Sequence, residues 1–191
     1  YTPEEMDKVN ALDRVITEKE KNELIDTIIV KTQGFINRSI VHGNEDPVEA
    51  FKNLLRLYEE VDKEKLRENL KYFLQQVIPV AEKCGVRLCI HPDDPPFPVF
   101  GLPRIVSDKD DIRWILDAVE SPSNGFTFCA GSLSAGIQND VVDLARNFAR
   151  KSFFVHLRST EIAENGDFIE ASHLGGRANL IEVIRIFEKE N

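Results

Sequence analysis

From Asp62 onwards, helical and strand patterns alternate along this 191-residue chain, and that alternation limits the possible folds more than any other property. Helical apolar spacing covers residues 66–80, 112–119, 141–148 and 180–187, and the short runs VRLCI, FTFCA and SFFVHLRS separate these segments. Such an order is typical of a parallel sheet with crossover helices. We therefore predict an α/β fold with three parallel strands, each apolar enough to be buried on both faces.

Residues 1–61 carry helical signals only and form the first of two predicted domains, the second being 62–191. TPEE and TEKE each place a threonine three residues before a glutamate, which is the signature of a capping box, and Asp46-Pro47 opens a third helix. In the second domain, Ser107 is the expected N-cap of a helix, and Pro79 is expected to kink or end an earlier one. His42 lies in a turn of the helical region, where we expect it on the surface.

The bulk composition argues against several classes of partner. A net charge of −9 disfavours a nucleic-acid backbone, which needs a basic patch. No run approaches about 18 consecutive apolar residues and no signal peptide is visible, so we expect no membrane association. The three cysteines form no Cys-x-x-Cys pair, which favours a reducing cytoplasm over a disulfide framework. Because the first residue is Tyr1 and not Met, we expect a piece of a longer chain.

Each predicted strand ends in a side chain that can bind a metal ion. His91 follows the first strand, Cys129 ends the second and His156 lies near the end of the third. The carboxyl ends of parallel strands share one edge of the sheet, where ligands and catalytic residues collect. A single histidine or cysteine there is more often structural, but three at equivalent positions favour a site for a divalent cation.

The stretch CIHPDDPPFPVFGLPR supplies further candidates around this edge. Its prolines forbid a helix and make a rigid loop directly after His91. Asp93 and Asp94 are predicted to be ligands or to orient an imidazole from a second layer. Arg158 and Arg104 are candidates for binding a substrate carboxylate, although Arg158 fits a structural ion pair equally well.

A third substrate-binding candidate is His173, whose loop could close over the site.

The strings HPDDPPFPVFGLPRIVSDKDDIRWILDAV, NGFTFCAGS, NDVVDLARNF, FFVHLRST and EASHLGG closely resemble the mannonate dehydratase family. That family belongs to the xylose-isomerase-like group of TIM barrels. The resemblance covers nearly all of residues 55–185, whereas residues 1–54 fit the helical insertion of the family only loosely. It implies a partial (β/α)8 TIM barrel with an N-terminal helical insertion.

The resemblance also implies a function. It is the metal-dependent dehydration of D-mannonate to 2-dehydro-3-deoxy-D-gluconate in glucuronate catabolism, by a cytoplasmic lyase that uses Mn2+ or Fe2+. The metal ligands of the family fall on His91, Cys129 and His156. Its fourth ligand, an aspartate, and its acid/base histidine and tyrosine would lie beyond Asn191. We therefore expect the 191-residue piece to be inactive alone, and its open sheet edges suggest a homo-oligomer.

Two other readings stay open at this point. One is a sugar isomerase or metal-dependent phosphodiesterase of the same barrel group, although those sites usually combine Glu, Asp and His, and Cys129 argues against them. The other is a fragment without activity. A thiolate also favours iron, cobalt or zinc over manganese, which fits poorly with Mn2+.

Overall fold

The computed structural model describes residues 2–33 and 46–190, so the expectation for His42 lies outside the described residues. The chain divides into two compact units. One runs to Glu60 and also includes Phe100–Leu102, and the other comprises Val61–Val99 and the chain from Pro103 onwards.

The first unit is helical throughout its described residues. Its elements are α1 (Pro3–Asp13), α2 (Glu18–Ile25), a π-helical segment (Asp26–Gln33) and α3 (Pro47–Arg56). Both predicted capping boxes are confirmed, because Thr2 and Thr17 each exchange hydrogen bonds with the glutamate three residues later. Asp46 caps α3 by accepting from the backbone N–H groups of Val48 and Glu49.

The second unit is built on a three-stranded parallel sheet. The strands β1 (Leu88–Ile90), β2 (Asn124–Cys129) and β3 (Ser152–His156) lie in the order β1-β2-β3. The crossover segments contain α4 (Lys63–Lys83) before β1, α5 (Lys109–Ala118) between β1 and β2, and α6 (Ala130–Ser134) with α7 (Val141–Phe148) between β2 and β3. The predicted mixed α/β fold with a parallel sheet is therefore confirmed, and the described residues form no closed barrel.

The remainder of this unit follows the sheet. A 3-10 turn (Ala149–Lys151) leads into β3, the antiparallel hairpin of β4 (Thr160–Ile162) and β5 (Phe168–Glu170) comes next, and α8 (Leu180–Glu190) ends the described chain. No helix in the described ranges is both long and apolar enough to cross a membrane.

The core lies around β2, whose six residues are all buried. Phe126 and Phe128 are fully inaccessible and pack with residues of α4, α5, α7 and α8. The prediction that all three strands are buried on both faces is wrong for β1 and β3. The three residues of β1 are only half-buried, and Phe154 of β3 is 58% exposed. These two are the outer strands of the described sheet, so each has a strand neighbour on one side only.

Several element boundaries differ from the sequence prediction. The N-cap of α5 is Asp108 and not Ser107, because the Asp108 carboxylate accepts from the N–H groups of Asp110 and Asp111. Pro79 does not end α4, which runs to Lys83 and stops before Gly85, in the left-handed region at φ +67°. The third strand is shorter than predicted, since β3 ends at His156.

Candidate metal centre

The carboxyl ends of β1, β2 and β3 bring His91, Cys129 and His156 into one group. Cys129 and His156 are the last residues of their strands and lie opposite each other in the parallel register. His91 follows the last residue of β1. One ligand atom from each of the three residues lies within 4.8 Å of the other two, and the Cys129 Sγ is 3.4 Å from the His156 Nδ1.

The local hydrogen bonding of His91 distinguishes its two ring nitrogens. The His91 Nδ1 lies 2.7 Å from the Pro92 carbonyl oxygen. A carbonyl only accepts hydrogen bonds, so Nδ1 carries the proton and Nε2 keeps its lone pair. A backbone carbonyl on the far nitrogen is the usual way in which a metal-binding imidazole is oriented.

The donor set and its spacing fit a divalent ion. Bonds of about 2.0–2.3 Å to nitrogen and sulfur in a tetrahedral arrangement place neighbouring ligand atoms roughly 3.5 Å apart. The 3.4 Å between the Cys129 Sγ and the His156 Nδ1 matches that spacing, and the ligand atom of His91 lies within 4.8 Å of both. Cys129 is fully buried whereas both histidines are exposed, so solvent reaches the group from the side of the two imidazole rings.

Asp93 stabilises the proline-rich loop and does not join this group. Its Oδ2 accepts from the N–H groups of Ile105 and Val106 at 2.9 and 2.8 Å, and its own N–H donates to the Val106 carbonyl at 2.9 Å. These bonds tie the two ends of the loop together. Asp93 therefore supports the segment that directly follows His91.

Asp94 faces the sulfur through an intermediate hydroxyl. The Ser132 Oγ lies 3.2 Å from the Cys129 Sγ and 3.1 Å from the Asp94 Oδ2. The same carboxylate oxygen accepts from the Arg158 Nη2 at 2.6 Å, and the Arg158 Nη1 lies 3.2 Å from Glu170. Burial would lower the pKa of Arg158, but the hydrogen bond and the charge of Asp94 outweigh it and raise that pKa above its ordinary value.

The other two predicted substrate-binding residues lie outside the three-residue group. The Arg104 Nε donates to the Phe97 carbonyl at 3.4 Å, and its Nη1 is 3.5 Å from the Asp93 carboxylate. His173 is exposed in the loop between β5 and α8.

Sequence reasoning missed Ser132, Glu170 and Gly131. Ser132 has a recognisable signal: Cys129 is the N-cap of α6, and a residue three positions after an N-cap returns beside it. Gly131 leaves room for the Arg158 side chain, because a Cβ at this position would overlap the arginine Nε and lie 2.7 Å from its Cγ. Glu170 has no local signal, since the β4–β5 hairpin brings it back to Arg158.

Fold and side chains together define a class: a parallel α/β protein with a candidate His–Cys–His metal centre at the carboxyl edge of its sheet. Residues 4–191 match the family model described as D-mannonate dehydratase (UxuA), and the chain therefore belongs to that family. This confirms the resemblance that the sequence motifs carry.

Individual relatives agree with the family. The chain is 52% identical over 146 residues to a mannonate dehydratase of Marinomonas sp. (strain MWYL1), a match that covers 75% of the chain and 37% of the relative. It is 42% identical over 181 residues to that of Geobacillus thermodenitrificans, covering 91% of the chain and 49% of the relative. The crystal structure of mannonate dehydratase from Streptococcus suis serotype2 superposes with a TM-score of 0.71 at 32% identity, covering 78% of this chain and 44% of that one. The chain thus spans about half or less of the length of these proteins.

Proposed function

We propose that this chain supplies the His–Cys–His metal ligands of a mannonate dehydratase, a lyase that removes water from D-mannonate to give 2-dehydro-3-deoxy-D-gluconate. The observation that carries the proposal is the convergence of His91, Cys129 and His156 within 4.8 Å, in a chain of the D-mannonate dehydratase family. The cofactor would be Mn2+ or Fe2+. A buried thiol among the ligands supports this reading over the Glu, Asp and His sites of related sugar isomerases.

The reaction explains why such a centre is needed. The proton next to the carboxylate is weakly acidic and a hydroxyl leaves poorly, and a bound divalent ion supplies Lewis-acid stabilisation of the charge that develops on substrate oxygens. In this chain, His91 offers Nε2, Cys129 offers its sulfur from the buried side and His156 offers an exposed imidazole. The exposed side of the group leaves room for the sugar acid.

For the substrate carboxylate, the candidates are Arg104, Arg158 and His173. Arg158 is already paired with Asp94 and Glu170. The contacts of Arg104 are longer, at 3.4 and 3.5 Å, so less hydrogen-bond and ion-pair energy is lost when its guanidinium turns towards a substrate carboxylate. We favour Arg104 for this role, with His173 contributing from its loop.

The proposal also covers the complete barrel, the cellular compartment and the assembly of the protein. The relatives are about twice as long as this chain, so we place its second unit in a (β/α)8 barrel and expect the 191 residues alone not to turn over substrate. The three free cysteines fit a reducing cytoplasm. The outer strands β1 and β3 need neighbours, which the remaining barrel strands or a second copy in a homo-oligomer would supply.

The test is Cys129→Ala in the polypeptide that carries this sequence, assayed for dehydration of D-mannonate and for bound metal after anaerobic preparation. We expect turnover to fall by more than about 100-fold, because loss of a ligand exceeds the 10–100-fold cost that is typical of losing its hydrogen-bond partner. Cys84→Ala is the matched control: Cys84 is exposed, and this variant should keep both its turnover and its bound metal. Near-normal turnover of Cys129→Ala would refute the ligand role.

A further inference from the structure

The Ser132 hydroxyl has a single proton and two acceptors. Its Oγ lies 3.2 Å from the Cys129 Sγ and 3.1 Å from the Asp94 Oδ2, and its side chain is fully buried. A hydroxyl donates one hydrogen bond at a time, so the sulfur and the carboxylate compete for it. Water can hydrate the Asp94 side chain, which is 37% exposed, but it does not reach the buried sulfur.

Arg158 decides this competition. Its Nη2 donates to the Asp94 Oδ2 at 2.6 Å and to the Ser132 Oγ at 3.3 Å. The guanidinium therefore neutralises the carboxylate and also occupies a lone pair of the hydroxyl oxygen. Both effects leave the hydroxyl proton for the sulfur, whose other close polar neighbour is the His156 Nδ1 at 3.4 Å.

Arg158 itself is held in place from three sides. Glu170 binds its Nη1 at 3.2 Å, Asp94 binds its Nη2, and its side chain lies over Gly131, where a larger residue would collide with it. The arrangement around Ser132 is thus fixed by charged partners and by close packing.

We infer that Ser132 is a positioning residue for Cys129: its hydroxyl donates to the sulfur, fixes the direction of the thiolate and weakens its electron donation to a bound ion. The Asp94–Arg158 pair acts behind it by setting the direction of the hydroxyl proton. The inference rests on the proposed function, because it assumes that Cys129 binds a metal. Partners of this kind typically change metal affinity by about 10–100-fold when they are removed.

Ser134 shows what a purely structural hydroxyl looks like in the same helix. It is also fully buried, and its Oγ lies 2.8 Å from the Thr160 Oγ1 and donates to the Gly131 carbonyl at 2.9 Å. Neither partner belongs to the metal centre. Ser134→Ala is therefore a matched control that removes an equally buried oxygen from the same short helix.

The test uses Co2+ as the probe, titrated anaerobically into the chain while the near-ultraviolet sulfur-to-cobalt charge-transfer band is recorded. In Ser132→Ala, the sulfur loses its hydrogen bond and becomes more electron-rich, so we expect the band to move to lower energy. Because the thiolate also loses its fixed direction, we expect Co2+ to bind about 10–100-fold more weakly. In Ser134→Ala, the band should keep its position even if the protein unfolds more easily. In Asp94→Asn, the carboxylate no longer draws the hydroxyl proton away, so the hydrogen bond to the sulfur strengthens and the band should move to higher energy.

The outcomes separate this inference from the proposed function. If the unsubstituted chain binds Co2+ without a sulfur band, the proposed metal centre itself fails. If that band is present, and Ser132→Ala keeps both its position and the affinity, the positioning role is overturned. Should Ser132→Ala not fold, Asp94→Asn decides, because a shift to lower energy in that variant contradicts the direction assigned to the proton.

Discussion

Two adjacent aspartates after His91 have separate tasks. Asp93 turns into its own loop and accepts from the N–H groups of Ile105 and Val106. Asp94 turns the other way, towards Ser132 and Arg158. The sequence places both residues beside the centre, but side-chain direction in an irregular loop depends on distant partners. The sequence alone therefore does not tell them apart.

We expect Asp93→Ala to destabilise the chain by about 2–4 kcal/mol in urea unfolding, because it leaves two loop N–H groups without their charged acceptor. Ile105 and Val106 are buried, so water does not replace that acceptor fully. The control is Asp110→Ala, which removes an 85% exposed carboxylate paired with Arg113 and should cost no more than about 1 kcal/mol. Equal costs for the two variants would show that Asp93 does not organise the loop.

The three ligand candidates could be found from the sequence because each follows a strong apolar strand pattern. Their proximity then follows from the parallel order of the strands. Ser132 and Glu170 could not be found with the same argument. Glu170 reaches Arg158 from a hairpin of two three-residue strands, which is too short to produce a clear alternating pattern.

At the scale of elements, the junction between β2 and α6 is the most constrained part of the second unit. The strand ends at Cys129 and the helix begins at the next residue, with every residue of both elements buried. This abrupt change from strand to helix places Cys129 and Ser132 side by side. The sequence predicted the strand but not the five-residue helix, whose residues AGSLS carry no helical apolar spacing.

Gly131→Ala tests the close packing at this junction. Helix propensity alone would make alanine more stable by about 0.5–1 kcal/mol. The new Cβ would meet Arg158, however, and that side chain is anchored by Asp94 and Glu170, so we expect a net loss of about 1–3 kcal/mol in thermal unfolding.

A double substitution supplies the control for this prediction. Arg158→Ala removes the Nε, which the added Cβ would overlap, and the Cγ, which lies 2.7 Å from it, and leaves the Arg158 Cβ at 2.8 Å, so Gly131→Ala should cost less in that background than in the unsubstituted chain. Similar costs in the two backgrounds would place the strain elsewhere.

At the scale of the whole molecule, the chain combines a helical unit with an α/β unit that carries the candidate centre. The parallel sheet could be predicted because helix and strand patterns alternate over more than a hundred residues. The exposure of Phe154 could not, since it depends on which strands lie at the edge of the sheet. The family assignment rests on motifs spread along the sequence, and it agrees with the structural match to a mannonate dehydratase.

The binding of one divalent ion by His91, Cys129 and His156 is best tested by zinc K-edge X-ray absorption on the chain loaded with one equivalent of Zn2+. We predict a first shell with one sulfur at about 2.3 Å and two imidazole nitrogens at about 2.0–2.1 Å, and the loss of the sulfur in Cys129→Ala. A shell of nitrogen and oxygen alone in the unsubstituted chain would contradict the account.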